Sequence, residues 1–197
     1  MKISEYMIRV GVPAKFVGAS LHDLAFFDSL TISKKEIERY KAHYKRCIKI
    51  VNDRKFGILF QGIPGSGKSF MGAAVMREYL HNGVKCARTT TGEILDWYFQ
   101  DYQGFRERYI QADVLFIDDF TKMGFQTDAN LQIMERLVRM REDNQKITMF
   151  ACFSENDIIS KFSKDFHRLV MGTVIHLALP DIDLRQEVLN QYAGEFE

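Results

Sequence analysis

Residues Gly62 to Ser69 read GIPGSGKS, a glycine followed after four residues by glycine, lysine and serine. That spacing matches a phosphate-binding loop. Gly62, Gly65 and Gly67 permit backbone dihedrals and close approaches that side chains forbid. The N–H groups from Gly65 through Ser66 and Gly67 to Ser69 can therefore turn inward around phosphate oxygens. Lys68 can reach the β and γ phosphates as a point charge, and the Ser69 hydroxyl is placed to ligate Mg2+. Pro64 stiffens one corner of the loop, and Phe70, next along the chain, joins the expected nucleotide contacts. The alternative is an ordinary glycine-rich turn; the apolar strand before it, the helix after it and the lysine–serine pair argue against that.

A phosphate loop needs a carboxylate at a neighbouring strand end to hold the metal. Residues 114–119, VLFIDD, supply one. Asp118 ends the apolar run and is the expected magnesium partner, directly or through water. Asp119 is placed either to orient or deprotonate a water attacking the γ phosphate, or simply to close the turn. Further on, Ser154 and Asn156 in ACFSENDI are candidates to touch the γ phosphate or the lytic water, with helix capping as the equal alternative. Arg168 reads either as a surface arginine in a local ion pair or as a charge that enters a neighbouring subunit's site. Arg185, after PDID, either folds back on its own subunit's phosphates or opens a solvated helix. His167 and His176 lack companions at ligand spacing, and His176 reads as structural.

The elements that must position these groups follow from periodicity. The stretches FGILF, VKCART, DVLFID, KITMFACF and TVIHLAL read as strands, and DVLFID, nearly all apolar, reads as covered on both faces. Between them lie helices: KSFMGAAVMREYLHNG closed by Gly83, a helix capped by Thr90 and Glu93, and NLQIMERLVRMREDN. DYQGFRERYIQA reads as irregular or short helix. Ahead of the loop, SKKE offers a capping box for a helix whose apolar face carries Ile37, Tyr40, Tyr44, Cys47 and Ile48. Residues 1–32 form a leader of short turns whose Phe16, Phe26 and Phe27 require burial against the rest. The expected class is α/β with a mostly parallel sheet covered by helices on both faces, divided into a leader and first helix (1–50) and a core (51–197).

The chain of 197 residues is 27% charged with a net charge of +1, so its overall field points to no polyanionic partner. Widely separated Cys47, Cys86 and Cys152 fit a reducing, cytoplasmic setting. No stretch approaches the roughly 20 apolar residues of a membrane span.

Taken in order, GVPAKF (11–16), GIPGSGKS, VLFIDD, FHRLV (166–170) and DIDLR make the chain resemble the AAA+ ATPase family. The similarity is to the branch of bacterial and phage helicase loaders (DnaC-like and DnaI-like) and of IstB-type transposition helpers. The resemblance implies a five-stranded P-loop NTPase sheet of order 5-1-4-3-2, and an adenine of ATP or ADP near Val12, Pro13 and Phe16. It also implies metal and catalytic roles for Asp118 and Asp119, an inter-subunit finger at Arg168 and a second sensor at Arg185. In that branch the nucleotide state governs self-assembly, contact with a replicative DNA helicase and contact with single-stranded DNA. The helix near Thr90 to Tyr98 resembles the element that lines the DNA path there, with Arg106 and Lys122 as candidate phosphate contacts.

Two departures qualify the likeness. ACFSEN replaces the threonine–serine–asparagine order usual at the first sensor, and residues 1–50 leave little chain for a separate helicase-binding domain ahead of the core. The expectation is an ATPase that loads or remodels a replicative helicase. Its rivals are a transposition helper, a nucleotide-binding adaptor with little turnover and a small-molecule kinase, the last lacking an arginine-rich lid.

Overall fold

The computed structural model of the chain describes residues 2–28, 30, 32–122 and 127–187. Five strands, β1 (Gly57–Gln61), β2 (Cys86–Thr90), β3 (Val114–Asp118), β4 (Ile147–Cys152) and β5 (Val174–Ala178), form one sheet in the order β2-β3-β4-β1-β5. Every pairing is parallel, so the expected α/β class and strand order are observed. β3 is buried along its whole length, as its unbroken apolar run requires. Parallel strands demand crossovers, and the helices that make them cover both faces.

One face carries α4 (Lys68–His81) and α3 (Lys34–Asp53), with α1 (Ile3–Arg9), α2 (Ala25–Asp28) and a 3-10 turn at Ala14–Phe16 around them. Met7, Val12, Leu21, Phe27, Tyr40, Tyr44, Val75 and Tyr79 share a core there with Ile58, Phe60 and Phe116 of the sheet. α4 approaches β3 closely because Gly72 offers no side chain: a Cβ there would stand 2.3 Å from the Phe116 ring. α3 starts at the expected box, Ser33 accepting from the Glu36 N–H while Glu36 reaches back to the Ser33 N–H.

The other face carries α5 (Thr91–Gln100), α6 (Tyr102–Phe105), a π-helical turn at Arg106–Ile110, α7 (Asp128–Asp143), α8 (Glu155–Lys161) and α9 (Lys164–Thr173). Their core gathers Ile94, Tyr109, Phe120, Leu137, Ile158, Phe166 and Val170 on Leu59, Leu115, Ile117 and Phe150. Burial of the leader aromatics holds for Phe27 and partly for Phe16. Phe26, by contrast, is 37% exposed. Its ring is inclined 29° to that of Phe70 with centroids 6.4 Å apart, so part of its apolar surface faces another aromatic. Cys47, Cys86 and Cys152 are buried and unlinked. Among the described residues no helix is long and apolar enough to cross a membrane.

Candidate functional site

At the carboxyl end of the sheet, between β1, β3 and α4, a cavity of about 900 Å3 opens to solvent. Open parallel sheets bind ligands at this end because helix N-termini and strand-end side chains converge there. The loop from Gly62 to Gly67 leaves β1 and enters α4. Gly67 is the N-cap of α4 with φ 90° and makes no side-chain cap, so unpaired N–H groups of the first turn remain available to an anion. Gly65 has φ 87°, a left-handed conformation that side chains rarely adopt.

The Lys68 ammonium donates to the carbonyl oxygens of Gly62 and Ile63 at 2.6 and 2.7 Å. Partial burial lowers its pKa, and the carboxylates of Asp119 and Asp118 oppose that shift. Ser69 Oγ donates to Asp118 Oδ1 at 3.0 Å, joining two residues 49 positions apart in the sequence. Asp118, at the tip of β3, is nearly inaccessible, with 5% of its side chain exposed. Asp119 follows in a left-handed backbone conformation, φ 51°. Its carboxylate pairs with Lys122 Nζ at 2.9 Å. Uncommon backbone geometry of this kind concentrates at functional sites.

Pro13, Phe16, Phe26, Phe27 and Phe70 make the cavity's other end apolar. Phe16 meets the Phe70 ring edge-on at a centroid distance of 6.4 Å. A flat heteroaromatic ring suits such a wall, while the phosphate-loop end suits an anionic tail. Hard oxygen donors, a serine hydroxyl and a carboxylate, fit magnesium, which takes few protein ligands and keeps the rest for phosphate and water. Among the described residues no cluster of three His, Cys, Asp or Glu side chains offers another metal site.

Pro13, Phe16, Pro64, Gly65, Gly67, Lys68, Ser69, Phe70, Asp118, Asp119 and Arg185 all line this cavity. Val12 does not: it is buried in the core behind Pro13. Gly62 and Ser66 are internal to the loop, the Ser66 carbonyl accepting from Tyr40 Oη at 3.1 Å while its own hydroxyl is buried without a partner. Ser154 serves as the N-cap of α8, accepting from the Asp157 N–H, which is the capping alternative. Asn156 is exposed on that helix and lies off the cavity wall. Cys152 and Phe153, just before it, do line the wall. Burial pushes the Cys152 thiol up to about 12, so it stays protonated there.

Arg185 faces the cavity from a segment that crosses the phosphate loop. The Leu184 N–H donates to the Gly65 carbonyl at 3.0 Å, and the Arg185 guanidinium grips Asp183 at 2.8 and 3.0 Å. Arg168 stands away from the cavity on α9, 79% exposed, 3.4 Å from Asp165. Lys122 lines the cavity, whereas Arg106 is exposed on the π-helical turn. His167 Nε2 lies 2.7 Å from Glu155 Oε1, joining α9 to α8, and His176 of β5 stands 4.0 Å from the same carboxylate.

Sequence reading missed Arg88 of β2. Its Nη2 donates to Asp118 Oδ2 at 2.9 Å inside the cavity. The register, which sets Arg88 beside Phe116 and Thr90 beside Asp118, brings it there. The usable signal was a polar residue two positions before the carboxyl end of the strand next to the acidic tip.

The model of the ATPase family associated with various cellular activities (AAA) matches residues 58–173. Among curated proteins none matches the sequence. Solved structures share the fold at low identity. The DnaC helicase loader superposes with a TM-score of 0.69 at 17% identity, over 85% of this chain and 100% of that one. DnaI gives 0.69 at 14%, over 88% and 94%. AMPPCP-bound DnaA from Aquifex aeolicus gives 0.69 at 14%, over 95% of this chain and 57% of that one. The chain likewise spans 55% of a DNA replication initiation factor that it matches.

Proposed function

The chain belongs to the AAA family of ATPases, and on that footing we propose that it binds and hydrolyses magnesium ATP as a replication accessory protein that loads or remodels a replicative DNA helicase. The observation that carries the nucleotide reading is the Ser69–Asp118 hydrogen bond in a cavity that also holds Lys68 and an aromatic wall. In this reading the adenine lies against Pro13, Phe16 and Phe70. The phosphates are taken by the loop N–H groups of Gly65, Gly67, Lys68 and Ser69, the Ser66 N–H being spent on the Ile63 carbonyl, and by the Lys68 ammonium, which exchanges its carbonyl partners for phosphate oxygens.

Ser69 and Asp118 would hold magnesium, which would neutralise phosphate charge and orient the chain of phosphates. Asp119 orients or deprotonates the attacking water. Arg185 swings from Asp183 toward its own subunit's phosphates, and Arg168 serves the neighbouring subunit's site. The helicase partner is supported by fold likeness to the DnaC helicase loader, while self-assembly and a single-stranded DNA path along α5 rest on the resemblance of the sequence motifs to the helicase-loader branch. A DnaA structure bound to AMPPCP and single-stranded DNA has the same fold as well.

A second reading, an adaptor that binds nucleotide with little turnover, is favoured by one feature: Ser154 is committed to capping α8, leaving the expected first-sensor position without a polar group aimed at the cavity. ATPase assays with and without single-stranded DNA separate the two, and a pull-down with purified replicative helicase tests the partner. Lys68→Ala is expected to weaken binding of a fluorescent ATP analogue at least about ten-fold, a loss of ~1.4 kcal/mol. Unchanged affinity sinks the nucleotide site.

A further inference from the structure

Both oxygens of the Asp118 carboxylate are taken. Oδ1 accepts from Ser69 Oγ at 3.0 Å and from the Asp119 N–H at 3.1 Å. Oδ2 accepts from the Arg88 guanidinium at 2.9 Å. The backbone of Arg88 is anchored, its main-chain N–H donating to the Val10 carbonyl at 2.7 Å, and only 13% of its side chain is exposed. Its other terminal nitrogen, Nη1, stands 3.9 Å from Glu93 Oε2. Glu93 is the capping residue of α5 and half exposed, with Oε2 already accepting from the Thr90 N–H at 2.7 Å. One guanidinium thus lies between two carboxylates, Asp118 in the cavity and the half-exposed Glu93 outside its lining.

A magnesium ion held by Asp118 and a guanidinium bonded to the same carboxylate are like charges competing for one acceptor in a poorly hydrated corner, where their repulsion is weakly screened. Resting on the reading above, we propose that Arg88 is a built-in counter-ion that magnesium displaces from Asp118, with Glu93 receiving the displaced guanidinium, so that Arg88 sets the magnesium concentration at which nucleotide is gripped. Arg88 is here a positioning residue: it acts on the metal through Asp118. The exchange moves a side chain and breaks no covalent bond.

The test is a magnesium titration, from chelator to millimolar, of binding of a fluorescent non-hydrolysable ATP analogue, with thermal unfolding recorded in parallel. Arg88→Gln removes the charge while keeping a hydrogen-bonding side chain. It is expected to lower the half-saturating magnesium concentration about ten-fold, with metal-free affinity for the analogue within about two-fold of wild type. Arg88→Lys, which keeps the charge, stays near wild type. Glu93→Gln keeps the helix cap but removes the second carboxylate, and is expected to raise the magnesium requirement; it also serves if Arg88→Gln does not fold. An unchanged or raised requirement in Arg88→Gln, or an unchanged one in Glu93→Gln, overturns the proposal. Nucleotide binding by wild type that fails at every magnesium concentration overturns the nucleotide site itself, and this exchange with it.

Discussion

At Gly65 the backbone needs φ 87°, and a Cβ would fall 1.9 Å from Asp183 Oδ1. Alanine there would carry the left-handed penalty of roughly 1–2 kcal/mol and push Asp183 away from the Arg185 guanidinium, whose hydrogen bonds hold that carboxyl below its usual pKa range. Gly65→Ala is expected to lower the melting temperature by about 2–8 °C and to weaken triphosphate binding; differential scanning fluorimetry and nucleotide titration read both, and a variant with wild-type values in each would show that the loop relaxes freely. This loop was legible in the sequence because its chemistry fixes residue type at a glycine and, five positions on, at a glycine–lysine–serine run. Arg88 was not, because within VKCART an arginine in a strand reads as a solvated face, and its partner Asp118 lies thirty positions on. Ser154 was ambiguous for a different reason: one hydroxyl past a strand end serves a helix cap or a ligand equally well, and only the Asp157 N–H at 3.2 Å decides its use here.

Among the elements, the least legible was the stretch between α5 and β3, which sequence periodicity leaves as irregular or short helix and which folds as α6 running into a π-helical turn. Its closure comes from outside. Arg141 of α7 is fully buried, and its guanidinium donates to the carbonyls of Tyr109 and Ala112 at the end of that turn, to the Ile147 carbonyl at 2.6 Å and to Thr148 Oγ1 at 2.9 Å. A helix end that spends its free carbonyls on a residue some thirty positions away leaves no local cap to read. The strands and the helices with capping boxes, by contrast, were legible because their signals are local: Ser33 with Glu36 and Thr90 with Glu93 cap α3 and α5 as their spacing requires. Arg141→Leu removes the guanidinium and leaves several buried carbonyls unpaired, each costing ~1–3 kcal/mol. The expected result is a loss of about 3 kcal/mol or more, seen as a fall of roughly 6–12 °C in melting temperature, with Arg141→Lys failing to restore it because an ammonium cannot reproduce the planar fork. A loss below 1 kcal/mol would show that water or a shifted turn satisfies those groups.

For the whole molecule, the arrangement of α9 turns Phe166 and Val170 into the core and Arg168 outward. Its pairing with Asp165 joins two side chains about 80% exposed at 3.4 Å, and surface pairs of that kind contribute little. The arginine is therefore accessible to another molecule, and it does not line the cavity of its own chain. A charge that completes a neighbour's nucleotide site makes turnover a property of the assembly, while binding stays a property of the single chain. Arg168→Ala is accordingly expected to bind triphosphate as wild type does and to lose turnover at least about 100-fold under conditions that favour assembly, toward the range known for arginine fingers. Mixing supplies the decisive arm. Lys68→Ala chains have a defective site but an intact Arg168, and Arg168→Ala chains have the reverse, so a mixture should recover turnover that neither shows alone. A mixture no more active than the sum of its components, or an Arg168→Ala defect equally large in isolated monomers, would remove the arginine from the neighbouring site and leave each chain catalytically self-contained.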